Sequence, residues 1–454
     1  MKRLLLSLAV VAVAAASCQK DFVENSNDTE IKVIEEQTSP YAVSEEEAIK
    51  RLNNFMSAFD GDETRSQRRK VTSIKGVSFN NIYGNTRANQ PIDIENLLYI
   101  VEFENGEGSA ILGADKRLEP VYAVLDESVL TVNDFNNAVS GENMDDISTF
   151  TAGLIANKVY NGYIELNDSL TLFPPEEELR SDWQDFISVV TRTKYIEPLL
   201  DTKWGQNSYF NDKFPTTTED AEYGDGRQSA GCVTIALAQI LNNNSYPRPI
   251  KLNDHTYYWR DLNKHRWDAG DDEIDSVDMN LMASFIYDLA QELRVTYYSD
   301  GSTGANTSDV KRVMRRSGYS NFSEGAISES RIYPMLQNDK SVWTGGFSDY
   351  GGHSWVIDGW KTVKTDYYCI TYDANNVEIS REHQASITDN YVHCNMGYMG
   401  RCDGYYTLSA FNVSNGKIGD SVEPDCGDIP NSPQTISGDR IIYDTNLVSL
   451  TYNF

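Results

Sequence analysis

The pattern of apolar and polar positions divides the chain into two regions, and the first mixes helices with short strands. Ser44 precedes three glutamates and an apolar series that continues to Phe55, which predicts a helix capped at Ser44. Leu97 to Phe103 alternates between apolar and polar residues, and Asn105-Gly106 provides a turn before a second apolar run. A further strand over Val121 to Leu125 completes a predicted small antiparallel sheet.

Helical patterning resumes after Ser140 and again near Trp183, which predicts that the first region is an α+β domain ending near residue 190. The segment Thr191 to Lys194 that follows is polar and basic. This composition is typical of an exposed linker that a protease can cut.

In the second region, helices come first and strands follow. A helix is predicted over Gly231 to Leu241, and a second, capped by Asp278, carries an apolar stripe. Its members recur at helical spacing: Met282, Phe285, Ile286, Leu289 and Leu293. The glycine-rich loop 301–308 leads into a third short helix, and alternating strands begin at Val342. This order predicts an α+β fold for the second region as well.

Length and charge limit the classes of function. A chain of 454 residues exceeds the usual size of one hydrophobic core and favours two domains. Its formal net charge of −29 disfavours DNA, RNA or an anionic bilayer as a partner. The net charge therefore leads us to expect no nucleic-acid partner, and since no phosphate loop or dinucleotide fingerprint occurs, we also expect no cofactor.

The N-terminus has the pattern of an export signal. A basic start followed by an apolar run from Leu4 to Ala16 predicts a signal peptide. The sequence at its end, Ala15-Ala16-Ser17-Cys18, resembles a bacterial lipobox. If Cys18 is lipidated, a polar tether at 18–40 attaches the mature chain to a membrane; a plain secretory signal is the alternative. We therefore predict an exported protein, either an outer-membrane or cell-surface lipoprotein or one secreted after processing.

The other cysteines differ in their expected roles. Four near the C-terminus are expected to be disulfide-bonded or free and buried, with their pairing open: Cys369, Cys394, Cys402 and Cys426. No Cys-x-x-Cys pair indicates a metal. Cys232 instead follows Gly231 at a helix start, where the helix dipole and free N–H groups lower a thiol pKa. His353 follows Gly351 and Gly352 at a strand start, which makes it the candidate base for Cys232.

Several segments resemble the streptopain-like cysteine proteases, peptidase family C10 of clan CA. The resemblance rests on three blocks: Gly231 to Ile240, Gly351 to Gly359, and His393-Cys394-Asn395-Met396-Gly397-Tyr398 with Asp403-Gly404-Tyr405-Tyr406. It implies a papain-like, two-lobed catalytic domain in which Cys232 is the nucleophile and His353 the base. Gln206, in Lys203-Trp204-Gly205-Gln206, resembles the side chain that stabilises the oxyanion in this family.

The same resemblance implies further roles. Asn395 is the candidate for orienting the imidazole, and the family has tryptophan where Met396 and Tyr398 stand. We expect Gly304, Gly351, Gly352 and Met396 to border the substrate cleft. The first region resembles the family's inhibitory propeptide, so we expect it to act as an intramolecular inhibitor until the chain is cut near residues 190 to 200.

The predicted organisation is therefore a signal peptide at 1–17, a flexible tether at 18–40, an inhibitory propeptide domain at 41–190 and a papain-like cysteine protease domain at 191–454. The predicted function is that of an endopeptidase acting on proteins or peptides through a thioester. Two alternatives remain: a weak or inactive protease-like surface lipoprotein that binds proteins or glycans, motivated by Met396 and Tyr398, and a hydrolase of cell-wall peptides.

Overall fold

The computed structural model describes most of the chain from residue 41 onward. The described ranges are 41–61, 69–78, 96–143, 146–170, 184–218, 226–265, 274–348, 351–373, 375, 377–411 and 447–454. The signal peptide and tether predicted over residues 1–40, and Cys426, lie outside these ranges.

Helices lie in both regions. Within the described ranges they are α1 Glu45–Phe59, α2 Val132–Ser140, α3 Ile147–Leu170, α4 Cys232–Asn244, α5 Trp259–Leu262, α6 Ser276–Leu293, α7 Thr307–Arg316 and α8 Glu329–Leu336. Short 3-10 helices cover Glu104–Gly106 and Leu408–Phe411.

Strands are concentrated in one large sheet. They are β1 Val71–Val77, β2 Leu98–Phe103, β3 Ser109–Gly113, β4 Val121–Leu125, β5 Gln184–Ile196, β6 Ile250–Leu252, β7 His255–Tyr257, β8 Thr296–Tyr297, β9 Thr303–Gly304, β10 Ser320–Gly325, β11 Val342–Ser348, β12 Gly351–Tyr372, β13 Glu378–Asn395, β14 Gly404–Thr407 and β15 Val448–Asn453. Eleven of the described strands form one sheet in the order β1-β2-β3-β4-β14-β13-β12-β11-β15-β10, with β5 also paired to β12. The paired strands are antiparallel throughout. The α+β fold class predicted from the sequence is confirmed.

The first region begins as its sequence pattern predicts. The Ser44 side chain accepts a hydrogen bond from Glu47 N–H and caps α1, whose buried face includes Phe55 and Phe59. The β2–β3 turn places Asn105 and Gly106 at positive φ, 59° and 75°, a conformation that these two residue types adopt at low cost. The predicted helix and hairpin are both confirmed.

The segment near Trp183 differs from the prediction. The helix expected there is wrong, because residues 184–196 form strand β5, which pairs with β12 from Gln184 opposite Thr371 to Ile196 opposite Trp360. The predicted linker from Thr191 to Lys194 therefore lies within a strand, alternating between exposed and half-buried residues. Its β-branched residues suit a half-buried strand, and a partner more than 150 residues away in sequence, as for Thr191 and Lys364, cannot be seen in a local pattern.

The helices of the second region carry the predicted apolar faces, with one change of cap. The Asp275 side chain, not that of Asp278, accepts hydrogen bonds from Val277 and Asp278 N–H and caps α6. Asp278 lies in the first turn, where its carboxylate contacts Lys264 and His265.

The two regions share both the sheet and a hydrophobic core. Strand β4 pairs with β14, so Val124 lies opposite Tyr405 across the join. One buried cluster contains Phe150 and Ile155 of α3 together with Trp355 of β12. Helix α3 of the first region therefore packs directly on the strand that carries His353.

Candidate active site

Cys232 is the first residue of α4, and the backbone before it has an unusual shape. Gly231 has φ of +83°, and a Cβ added there would lie 2.8 Å from Thr303 Oγ1. The position therefore requires glycine on both conformational and steric grounds. The turn places the sulfur at the N-terminal end of an apolar helix, where free N–H groups face it.

The thiol of Cys232 is partly buried and uncharged. Burial raises its pKa, while the nearby backbone groups of Ser354 and Val233 act to lower it. The net pKa remains above the ordinary value for cysteine, so the thiol keeps its proton at neutral pH.

His353 lies in β12 and is buried. Its Nε2 is 3.0 Å from the carbonyl oxygen of Met396, and because a carbonyl can only accept, Nε2 carries the proton. The ring packs against those of Phe150 and Tyr398, with centroids 5.2 and 5.5 Å away. Burial lowers the pKa of His353 to about 4, so the imidazole is neutral at pH 7 and its Nδ1 is a free base.

The two predicted catalytic side chains belong to adjoining elements but are not engaged. Cys232 begins α4, His353 lies in β12, and these two elements pack against each other. Across the described parts of the chain, the His353 ring and the Cys232 sulfur make no hydrogen bond to each other. The structure therefore holds a neutral thiol near a neutral imidazole rather than an ion pair.

Gln206 lies against the chain that leads into Cys232. Its carbonyl oxygen accepts from Ala230 N–H at 2.9 Å, and its Oε1 accepts from Ser229 Oγ at 3.4 Å. The residue is 7% exposed, and its Nε2 has no hydrogen-bond partner among the described residues. A buried donor without an acceptor costs free energy, which is typical of a group reserved for a ligand or a reaction intermediate.

Asn395 supports the site through the backbone. Its Oδ1 accepts from Gln239 Nε2 at 2.9 Å and from Gly397 N–H at 3.1 Å, and its Nδ2 donates to Thr202 O at 2.8 Å. Within the described structure its side chain makes no hydrogen bond to His353. The atom that orients the imidazole here is the carbonyl oxygen of the next residue, Met396.

The residues predicted to border the substrate cleft differ in their position and burial. Gly304 lies in β9 beside Tyr298, and its neighbour Thr303 donates to Ser229 O, so this loop flanks the start of α4. Gly351 and Gly352 open β12 just before His353. Met396, by contrast, has no exposed surface and lies in the hydrophobic core, so in this state its side chain does not line an open cleft.

The sequence interpretation missed a buried charge network beneath the site. His393 Nδ1 is 2.6 Å from Asp358 Oδ1, and His393 Nε2 is 3.0 Å from Asp126 Oδ2. Burial alone would lower the pKa of His393, but the two carboxylates outweigh it and raise that pKa well above its usual value. Asp358 Oδ2 also accepts from Leu200 N–H at 3.1 Å. The histidine and aspartate both lie in the motif blocks, but nothing local indicated a partner at Asp126.

Polar contacts also join the first region to the loop around residue 400. Arg401 Nη2 lies 2.9 Å from both Asp146 Oδ2 and Ser148 Oγ, at the start of α3. Cys402 N–H donates to Ser128 Oγ at 2.9 Å. These contacts hold α3, and with it Phe150, over His353.

The described cysteines near the C-terminus are either disulfide-bonded or free and buried, the two states expected from the sequence. Cys369 is disulfide-bonded. Cys394 and Cys402 are free and buried, and burial raises the pKa of both thiols. Of the free cysteines in the described ranges, Cys232 is the one that is not fully buried.

Comparison with known proteins supports the class that this site suggests. Residues 204–406 match the family model described as Peptidase C10 family. Streptopain from Streptococcus pyogenes serotype M28 (strain MGAS6180) and from serotype M1 is 24% identical over 255 residues, 48% of this chain. The aligned region spans 57% of the length of these relatives. The resemblance to streptopain-like cysteine proteases predicted from the sequence is confirmed.

Two solved structures from Prevotella intermedia are also similar. A prointerpain A fragment is 18% identical with a TM-score of 0.44, covering 69% of this chain and 90% of the fragment. Active wild-type interpain A cysteine protease is 22% identical with a TM-score of 0.34, covering 47% of this chain and 85% of that protein.

Proposed function

We propose that the chain is the latent precursor of an exported cysteine endopeptidase, with Cys232 as nucleophile, His353 as base and Gln206 as oxyanion donor. The observation that carries the proposal is the buried, unpaired amide of Gln206 beside the segment that leads into Cys232. A side-chain N–H without an acceptor, next to a thiol at a helix N-terminus, is what acyl transfer through a tetrahedral intermediate requires.

The chemistry follows from these groups. His353 Nδ1 takes the proton of the Cys232 thiol, and the thiolate attacks the carbonyl carbon of a peptide bond. The Gln206 amide and the Cys232 backbone N–H stabilise the oxyanion. The C–N bond then breaks as His353 returns the proton to the leaving amine. Water hydrolyses the remaining thioester, which releases the acid and restores the thiol.

The first region accounts for latency in this proposal. Phe150 covers the imidazole and excludes water, and burial keeps the pKa of His353 at about 4, too low for an effective base near neutral pH. Removing residues up to the predicted cut near 190–200 takes away α3 and therefore exposes His353. The division into an inhibitory domain at 41–190 and a catalytic domain at 191–454 is part of the proposal, although its boundary falls inside β5.

The proposed partners follow from this chemistry. They are protein or peptide substrates and the chain's own first region as an intramolecular inhibitor. Export as a lipoprotein anchored at Cys18, or as a secreted enzyme, rests on the N-terminal sequence alone. In the described part of the chain, no helix is long and apolar enough to cross a membrane.

The decisive test compares two serine substitutions. Cys232→Ser is expected to abolish both casein digestion and removal of the first region, measured under reducing conditions with N-terminal sequencing of any fragment. Cys394→Ser, the same change at a buried thiol, is the matched control and should retain both activities. Casein digestion by Cys232→Ser at the rate of the unmodified protein would refute the assignment.

The alternative of an inactive binding scaffold was motivated by Met396 and Tyr398. The Tyr398 ring packs on the imidazole, and the carbonyl of residue 396 binds Nε2 whatever its side chain. The departures from tryptophan therefore leave the imidazole both covered and oriented, which favours the enzyme. Digestion of cell-wall peptides but not casein would instead favour the other alternative, a hydrolase of cell-wall peptides.

A further inference from the structure

Gln239 is a buried polar residue on the helix that carries Cys232. It lies in α4, seven residues after the thiol, so the two side chains are on the same face of the helix, about 10 Å apart along its axis. Gln239 has no exposed surface, and burying an amide is unfavourable unless its hydrogen bonds are satisfied. The proposed cleavage of a peptide bond does not use this residue, so its role has to be sought in what it binds.

The Gln239 amide joins two separate segments of the chain. Its Nε2 donates to Asn395 Oδ1 at 2.9 Å. Its Oε1 accepts from Thr202 Oγ1 at 2.9 Å and from Trp204 N–H at 3.4 Å. Asn395 closes the network, because its Nδ2 donates to Thr202 O at 2.8 Å. All four residues are buried, so water competes little for these hydrogen bonds.

Each segment bound by Gln239 carries a group that the proposed reaction needs. The first leads into Gln206, the proposed oxyanion donor, two residues after its last contact with the Gln239 amide. The second leads from Asn395 directly to Met396, whose carbonyl oxygen accepts from His353 Nε2 at 3.0 Å. The network therefore ties the nucleophile helix to both the oxyanion donor and the partner of the imidazole.

We propose that Gln239 is a positioning residue that holds these two segments in register with the helix of Cys232. The inference rests on the proposed peptidase function and adds a residue that acts through Asn395 and not on the substrate. A leucine at position 239 has a similar volume but offers no partner to Asn395 Oδ1 or to the Thr202 hydroxyl, so both segments gain freedom. Small displacements of reacting groups lower the rate steeply, so catalysis should suffer more than substrate binding.

The first test measures turnover per active site. The full chain removes its first region under reducing conditions, and active sites are counted with a thiol-directed peptide electrophile, so that unfolded protein does not enter kcat. Gln239→Leu is expected to lower kcat for a peptide substrate about 10-fold to 100-fold, with KM little changed. A kcat equal to that of the unmodified protein would overturn the proposal.

Asn244→Leu is the matched control on the same helix. The Asn244 Nδ2 donates to the hydroxyls of Tyr319 and Tyr452, both at 3.1 Å, and so binds α4 to other segments than those of Gln206 and Asn395. This variant should lose unfolding free energy but retain kcat per active site. An equal fall of kcat in the two leucine variants would assign the effect to general weakening of α4 and refute the positioning role.

The second test uses the intact chain and requires no hydrolysis. NMR of nitrogen-15-labelled histidines follows the Nε2 proton of His353, which is identified by the loss of its signal in His353→Gln. Gln239→Leu is expected to make this proton exchange with water about tenfold faster, because the Met396 carbonyl is held less firmly, whereas Asn244→Leu should not. Exchange at the rate of the unmodified chain in Gln239→Leu would contradict the proposal.

Gln239→Glu keeps the test decisive if the leucine variant folds poorly. When protonated, the new carboxyl group can donate to Asn395 Oδ1 and accept from Thr202, as the amide does; when ionised, it can only accept. Burial raises the pKa of such a carboxyl group. The loss of kcat relative to the unmodified protein is therefore expected to be smaller near about pH 5 than near about pH 8. The same relative loss at both pH values would count against the network.

Failure of this inference differs from failure of the proposed function. If the unmodified protein digests casein and Cys232→Ser does not, but Gln239→Leu retains both kcat and the exchange rate, the nucleophile stands and the role of Gln239 is refuted. If the Nε2 proton exchanges faster in Gln239→Leu but the unmodified protein hydrolyses no substrate, Gln239 positions the imidazole and the proposed peptidase activity is refuted.

Discussion

The Nε2 atom of His353 donates its hydrogen to the carbonyl oxygen of Met396 at 3.0 Å. This contact fixes the tautomer and leaves Nδ1 free to accept a proton, which is the role that the third member of a catalytic triad performs for its histidine. Because the acceptor belongs to the backbone, it does not depend on the side chain at position 396. The Met396 backbone is fixed in turn on its other side, because its N–H donates a hydrogen bond to Asp403 Oδ1 at 2.7 Å.

Replacing Phe150 is expected to weaken latency. Phe150→Ala removes the ring that covers His353, so water reaches the imidazole and the pKa of His353 rises from about 4 toward its ordinary value of 6.5. We expect removal of the first region to be at least about 100-fold faster, because a Phe-to-Ala change in a core costs about 3 to 5 kcal/mol and destabilises the closed state relative to the open one. Processing is followed by gel electrophoresis, and the pKa by NMR of labelled histidines.

Phe135→Ala is the control for that experiment. Phe135 lies in α2, is fully buried in the same cluster, and has no ring contact with His353 in the described structure. It should lower stability without raising the pKa of His353. Equal histidine titrations in the two variants would show that Phe150 does not control the imidazole.

The low pKa of His353 predicts how the stability of the precursor depends on pH. The folded value of about 4 lies below the unfolded value of 6.5, so protonation favours unfolding. The stabilising contribution is complete above pH 6.5 and declines as pH falls toward 4, by about 3 kcal/mol in total. Acidification should therefore loosen the covered site.

The measurement is urea unfolding at about pH 7.5 and about pH 4.5 for the unmodified chain and for His353→Gln. The unmodified chain is expected to lose more of its unfolding free energy between the two pH values, since the other titrating groups are common to both proteins. Parallel losses would contradict the shifted pKa.

Gln206→Ala is expected to lower kcat/KM for a peptide substrate about 100-fold to 1,000-fold, with the loss in kcat, because in the proposed mechanism the amide contacts the oxyanion and not the ground-state carbonyl. Gln228→Ala is the matched control, since Gln228 lies on the segment that leads into Cys232 and its Nε2 is already paired with Tyr298 O at 3.1 Å. An equal loss of kcat/KM in both variants would remove Gln206 from the oxyanion site.

Introducing the tryptophans that the resemblance to streptopain-like proteases points to should have different effects at the two positions. Met396 has no exposed surface, so Met396→Trp overpacks the core and is expected to cost about 1 to 3 kcal/mol of unfolding free energy. Tyr398 is half-buried against His353, and Tyr398→Trp should be tolerated with activity retained. Urea unfolding and casein digestion check both changes; a stable Met396→Trp would contradict the tight packing seen here.

Features set by local sequence could be predicted, and features set by distant contacts could not. The start of α4 at Cys232 and the cap at Ser44 follow from a few neighbouring residues. Strand β5 escaped prediction because its partner, β12, lies more than 150 residues later. The cover of Phe150 over His353 escaped it for the same reason.

The candidate site shows the same division. Cys232 lies in a motif block and Gln206 in the short segment Lys203-Trp204-Gly205-Gln206, so both could be named from the sequence. The sequence could not say whether the imidazole binds the Asn395 side chain or the Met396 carbonyl. That depends on the path of the chain after β13, which residue identity does not determine.

The account depends most on the reactivity of Cys232 being created by His353. After the first region has been removed, the protein is incubated with a thiol-directed peptide electrophile, and the labelled peptide is located by mass spectrometry in the unmodified chain and in His353→Ala. We predict about one label per molecule on Cys232, and labelling slower by at least about 100-fold in the variant, as expected for loss of a general base. Equal labelling rates in the two proteins, or labelling that falls on Cys394 or Cys402 instead, would contradict the account.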